Sequence, residues 1–191
     1  MDPKNSVQKG LIVYESKYGA TRQYAEWLAT ELNLSLMTTH EITQAQISNA
    51  HFLVVGTPVY TGTFRIKKWL NKNVKNMDNK KLFFFIVNAT APDEKVLREQ
   101  FIRDSIPPEI KENAVFYFLQ GRLIHKKLNL LDKLLVEVGA RMTKDPVKRK
   151  AMRSDLDAVE KDNLSPLIEA VNDYCNKNYV LPSTSVVQAT Q

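Results

Sequence analysis

The chain contains a single cysteine, Cys175, in 191 residues. That excludes an intramolecular disulfide and is the pattern of a reducing, cytoplasmic compartment. With one cysteine and three scattered histidines, no closed zinc site can be assembled from sequence. Nowhere does an apolar run approach the roughly 20 residues needed to cross a bilayer. Residues 1–10 are polar and lack the apolar region of a signal peptide. Glycine is scarce, with six in the chain. Neither Gly-x-x-x-x-Gly-Lys-[Ser/Thr] nor Gly-x-Gly-x-x-Gly occurs, so the two glycine-rich nucleotide fingerprints are missing.

What is present is the composition of an ordinary globular chain, 43% apolar and 25% charged, long enough for one domain with a full core. Residues 10–15 read as a strand and 20–32 as an amphipathic helix. Residues 34–39 alternate like a short strand, and His40–Ile47 reads as a connector with a helical turn. Phe52–Gly56 and Leu82–Val87 are continuous apolar runs, as expected of strands buried on both faces. Helices are expected over 64–73 and from Pro92 to about Arg103. A fifth strand covers 114–119, and a closing helix covers about 155–176 with a break at Ser165-Pro166. Residues 177–191 read as a disordered tail. Strands alternating with helices imply right-handed crossovers and a parallel sheet covered on both sides.

The first strand ends in Ser16-Lys17-Tyr18-Gly19-Ala20-Thr21, and a helix begins at once. The unpaired N–H groups and the dipole of a helix N-terminus favour an anion there. Ser16 and Thr21 add hydroxyls, and Gly19 permits close backbone approach. The alternative is an ordinary turn with Ser or Thr as helix cap. A second hydroxyl-rich loop, Thr57-Pro58-Val59-Tyr60-Thr61-Gly62-Thr63, offers an aromatic face and several donors, unless it is a plain turn with Tyr60 as surface packing. Trp27 and Trp69 fall at core-facing helical spacings and read as packing.

Residues 120–155 carry the charge anomaly. Over 121–155, ten basic residues stand against four acidic ones, a balance of +6 that equals the net charge of the whole chain. Leucines interleaved with these residues make a basic amphipathic stripe. Such a helix suits an anionic bilayer or an acidic substrate, or else it packs on the domain with solvated lysines. Arg122, His125, Lys126 and Lys127 fall just after the fifth strand, His125 being read as structural. The chain has neither an aromatic-rich basic platform nor a DNA-recognition helix motif, so no nucleic-acid partner is expected.

The Ser16-x-x-Gly19-x-Thr21 loop resembles the FMN phosphate loop of the flavodoxin family, with Tyr18 where a small hydroxyl residue is usual. Gly56-Thr-Pro-Val-Tyr-Thr-Gly62 resembles the same family. The resemblance implies a three-layer α/β/α sandwich over residues 10–176, with a five-stranded parallel sheet in the order 2-1-3-4-5. It implies FMN held by Ser16, Lys17, Tyr18, Gly19, Ala20 and Thr21 around the phosphate, and by Thr57, Pro58, Val59, Tyr60, Thr61, Gly62 and Thr63 along the ring. Topology adds Asn88, Ala89 and Thr90 from a third loop. With Gly121-Arg122-Leu123 and the basic leucine-rich stretch after it, the chain is similar to the menaquinone-dependent protoporphyrinogen dehydrogenase group. That subgroup implies a tetrapyrrole substrate, a quinone acceptor and peripheral contact with the inner face of a membrane. A simpler flavodoxin-like electron carrier, a quinone reductase, and a flavin-free module that binds through its basic segment are the alternatives.

Overall fold

The computed structural model describes residues 10–88 and 95–179, apart from the side chains of Lys148, Ala151 and Tyr179. Five strands run parallel: β1 (Gly10–Tyr14), β2 (Ser35–Thr38), β3 (Phe52–Tyr60), β5 (Lys81–Asn88) and β6 (Ala114–Gln120). Their spatial order is β2-β1-β3-β5-β6, and a two-residue strand, β4 (Thr63–Phe64), hangs antiparallel on β3. Counted over the five parallel strands, this is the expected 2-1-3-4-5 order of a flavodoxin-like fold.

Side chains alternate between the two faces of each strand. One face presents Ile12, Phe52, Val54, Phe83 and Phe85 to α1 (Ala20–Leu32) and α8 (Ser165–Tyr179). The other presents Val13, Leu53, Val55, Phe84 and Ile86 to α2 (Gln44–Asn49), α3 (Lys67–Met77), α4 (Lys95–Ser105) and the short α5 (Pro108–Lys111). Two glycines make room for rings on the first face. Gly10 pairs with Phe52 and Gly56 with Phe85 across adjacent strands, and a Cβ on either glycine would come 2.1 Å from the partner ring. Trp27 and Trp69 are both half-buried against these cores, as packing side chains.

The expected elements are present with corrected bounds. β3 runs through Thr57, Pro58, Val59 and Tyr60, which the sequence reading assigned to a loop. Pairing with β5 and β4 on either side carries the strand on past the proline. Phe64 belongs to β4 rather than to a helix, and α3 starts at Lys67. The connector over 40–47 leads into α2, which starts with a capping box between Thr43 and Gln46. Ser165-Pro166 opens α8 instead of breaking a longer helix. In a first turn a missing N–H costs nothing, so proline is at home there. α8 continues to Tyr179, so residues 177–179 are helical and not part of a tail, with Asn178 Nδ2 donating to the Tyr174 carbonyl at 2.7 Å. Residues 1–9 and 180–191, the start of the helix expected from Pro92, and Ala89 and Thr90 lie outside the described residues.

The basic segment is a helical hairpin on a neck. α6 (Leu130–Met142) and α7 (Pro146–Met152) lie between β7 (Arg122–Leu123) and β8 (Leu156–Asp157), which pair antiparallel. Arg122 Nε reaches Asp157 Oδ2 at 2.7 Å, and His125 bonds both Asp155 and the Met152 carbonyl. His125 therefore ties the neck together. Glu137 holds Arg141 on its own helix and Arg153 beyond α7. Among the described residues no helix is long and apolar enough to cross a membrane.

Candidate functional site

Parallel α/β sheets bind ligands beyond the carboxyl ends of their strands, where the strand order reverses. Here that point lies between β1 and β3. The chain leaves β1 at Glu15, whose N–H donates to the Gly56 carbonyl at 3.0 Å. It then turns through residues 16–19 into α1. Gly19 stands at the helix cap with φ +89°, a conformation that suits glycine. A Cβ there would meet nothing within 4 Å, so it is the backbone conformation and not lack of room that favours glycine.

Ser16 Oγ accepts from the Gly19 N–H at 3.2 Å and the Arg22 N–H at 3.4 Å. The N-cap residue itself is Gly19, not the Ser or Thr of the plain turn-and-cap reading; Ser16 reaches the first turn from three residues before the cap. The N–H groups of Lys17, Tyr18, Ala20 and Thr21 find no acceptor among the described residues. They stand at the N-terminus of a 13-residue helix, where a bound anion would satisfy them.

The second loop is tighter than its sequence suggests. Tyr60 pairs with Thr63, leaving Thr61 and Gly62 as a two-residue hairpin turn with φ of 49° and 79°. Positive φ at both positions matches the twist of the flanking strands. Thr57 is fully buried, and its hydroxyl donates to the Pro58 carbonyl and accepts from the Ile66 N–H. It braces the loop from beneath and is not among the residues that line the cavity between the two loops. Thr61 and Thr63 both direct their hydroxyls to the Tyr60 carbonyl. Arg65, paired with Glu15 at 2.7 Å, flanks the site.

Between the two loops lies a cavity of about 440 Å³. Tyr18, Ala20, Val59, Tyr60 and Thr61 form one wall, the β5 end at Val87 and the neck residues Gly121–Leu123 another, and α6 the roof. Tyr18 and Ala20 of the first loop thus meet Val59, Tyr60 and Thr61 of the second in one space, whereas Ser16 lines a separate cavity with Glu15, Arg22 and Arg65. Asn88 ends β5 beside it, and its third-loop companions Ala89 and Thr90 are not described.

Asp132, in the first turn of α6, was counted in the sequence only among the acidic residues of the insert. Its side chain is 5% exposed. It accepts from Lys17 Nζ (2.8 Å to Oδ1, 2.6 Å to Oδ2), from Tyr60 Oη at 2.6 Å and from Tyr18 Oη. Its own N–H is capped by Asn129 Oδ1 at 2.8 Å. Lys17 Nζ also lies 3.8 Å from the centre of the Tyr60 ring, a cation–π contact. Burial pushes the Asp132 carboxyl up, but its hydrogen bonds from Lys17, Tyr18 and Tyr60 outweigh that and hold it below the usual carboxylate range. Burial depresses Lys17, yet Asp132 and Tyr60 raise it overall. Burial and Asp132 both raise Tyr18. The sequence does carry a signal for Asp132: Leu128, Leu135 and Val136 at i−4, i+3 and i+4 make it the one acid inside an apolar stripe.

The donor set suits a phosphorylated flavin. The N–H-lined helix start would take the phosphate, and the cavity has the size and apolar wall a planar ring requires. The side chains of Lys17, Tyr18 and Tyr60 are engaged by the Asp132 carboxylate, which leaves the backbone N–H groups of the first loop as the donors for an anion.

A family model described as a flavodoxin domain matches residues 11–150, which take in both loops and α6. No curated protein sequence matches the chain. Similar solved structures include oxidised flavodoxin 2 from Bacillus cereus, at 13% identity and TM-score 0.44, covering 86% of this chain and 98% of that one. The azoreductase AzrA has 9% identity and TM-score 0.47, over 88% and 99%. Two-electron reduced flavodoxin from Megasphaera elsdenii has 12% identity and TM-score 0.44, over 58% and 83%. Likeness at that level carries no functional argument; the matched domain spans well over half of the sequence, and by it the chain belongs to the flavodoxin-domain family.

Proposed function

We propose that this protein is an FMN-dependent oxidoreductase of the quinone-linked protoporphyrinogen dehydrogenase type, acting at the inner face of a membrane. The observation that carries the reading is the convergence of the phosphate-type loop, the 57–63 hairpin and the basic insert on one cavity. The N–H groups of Lys17, Tyr18, Ala20 and Thr21, with the Thr21 hydroxyl, would hold the phosphate. Tyr60, Val59 and Thr61 would line the ring, with Asn88 at its edge. Bound there, the flavin supplies the hydrogen and electron transfer; the protein supplies orientation, exclusion of water and fixed charge. Arg122, on the cavity wall, is the cation nearest to hand for a substrate carboxylate, although it is shared with Asp157 and Gln23.

The outer face of α6 supports the membrane part of the reading. Leu130, Leu131 and Leu134 are 85%, 72% and 61% exposed. Lys126, Lys127, Lys133, Arg141 and Lys144 lie on the same segment. Apolar side chains rimmed by cations suit an anionic bilayer.

The first test is the absorption spectrum of the purified protein, before and after addition of FMN and then dithionite. Flavin bands that bleach on reduction support the cofactor assignment. No bands, together with no quenching of added FMN fluorescence, overturn it. Protoporphyrinogen oxidation by the loaded protein, with menaquinone as acceptor and stimulated by anionic vesicles, supports the subgroup. Quinone reduction without protoporphyrinogen oxidation would leave a quinone reductase.

A further inference from the structure

α6 is held to the domain in an unusual way. A surface helix normally seats an apolar stripe on the core. α6 instead buries two of its 13 residues, Asp132 and Ala140; Leu130, Leu131 and Leu134 are exposed, and Leu135, Val136, Val138 and Met142 line the cavity rather than a packed core. Its hold on the sheet-end loops is polar. One carboxylate gathers Lys17 and Tyr18 from the first loop and Tyr60 from the second. The neck has contacts of its own, the β7–β8 pairing, the Arg122–Asp157 ion pair and the His125–Asp155 contact, none of which involves Asp132. Beneath α6 is the cavity, and Leu135, Val136 and Gly139 roof it.

We propose that Asp132 is a positioning residue that latches α6 as a lid over the cavity, the insert swinging on its neck when the latch is released to let a ligand enter or leave. Closure then shapes both binding loops at once, because the same carboxylate fixes Lys17, Tyr18 and Tyr60. Buried ion pairs suit such a switch. Made, they are fully compensated; broken, they need water around every partner, so intermediate positions are disfavoured. The identity of the ligand is not part of this inference, and its primary test needs no flavin.

Hydrogen exchange by mass spectrometry is to be compared for the ligand-free wild type, Asp132→Asn, Asp132→Glu and Tyr60→Phe. Asp132→Asn keeps the shape and loses the charge. Peptides covering 130–142 should exchange at least about tenfold faster in it, with peptides of β3 and β5 unchanged. Asp132→Glu should recover part of the protection, and Tyr60→Phe, which loses one donor of the three, should fall between. Where FMN binds, stopped-flow fluorescence should show both association and dissociation quickened in Asp132→Asn, a pattern that mere loss of a contact does not give. Unchanged exchange in α6 would overturn the latch. So would faster exchange spread through β3 and β5, which would make Asp132 a general stabilising residue. If FMN fails to bind at all, the exchange comparison still decides.

Discussion

The hydroxyl of Tyr24, in the middle of α1, donates to the carbonyl of Gln120 at the end of β6, 2.8 Å away. The same oxygen accepts from Asn163 Nδ2 at 2.9 Å and from the Glu160 N–H at 3.3 Å. One fully buried phenol thus fixes both the point where the chain departs for the insert and the point where it returns. Tyr24→Phe keeps the ring and strips out these bonds, leaving buried partners unsatisfied. It should cost about 1–3 kcal/mol, read as a lowered urea midpoint with an unchanged slope.

The Asp132 cluster should set the pH limits of stability. A carboxyl lowered on folding contributes stability that is present above its unfolded value, about 3.9. That contribution is lost as pH falls through the lower folded value. Lys17 and Tyr18 are raised, so their contributions are complete below about 10 and disappear as pH rises through their folded values. Asp132→Asn should therefore flatten both the acid and the alkaline limbs of a stability–pH curve while lowering the plateau between them. Denaturant melts from pH 2 to 12 would show it; limbs parallel to those of the wild type would refute the assignment.

Thr61 is a β-branched residue at φ 49°, a strained position for its type. Asparagine tolerates that region far better. Thr61→Asn should raise stability by about 1 kcal/mol, and because residue 61 borders the cavity, flavin titration of the same variant will show whether the strain serves binding.

Replacing Leu130, Leu131 and Leu134 together by glutamine should leave the melting temperature within a degree or two, since these side chains are exposed. Co-sedimentation with anionic vesicles should be lost, and in the wild type it should weaken as salt is raised. Wild-type protein that ignores anionic vesicles at low salt would remove the membrane from the reading. Dimerisation of the wild type, abolished in the triple variant, would assign the face to a second copy instead.

Where the sequence was legible, local chemistry sufficed. α1 has the bounds expected of it because an apolar run, a hydroxyl-rich turn and a helical period follow one another without ambiguity. The sheet order followed from alternation and handedness. The hairpin at 61–62 was obscured by Pro58, which suggests a loop, whereas pairing on both sides carries the strand past it. The insert looked like one amphipathic stretch; Asn129 and Pro146 divide it at the starts of α6 and α7. The role of Asp132, as opposed to its odd place in an apolar stripe, was hidden for a different reason. Its partners lie 115, 114 and 72 residues away, and no local pattern encodes who will meet a carboxylate across that separation.

The two glycines lying opposite Phe52 and Phe85 have a consequence for how this chain can change. A larger residue at 56 is blocked while Phe85 keeps its ring, and a smaller residue at 85 leaves a void while position 56 stays glycine. Each single step lowers stability, and the two changes made together restore the filled volume. Positions 10 and 52 are coupled in the same way. These pairs are units of inheritance: a library randomising 56 and 85 together should return survivors that trade volume between the two sites, and few that change one alone.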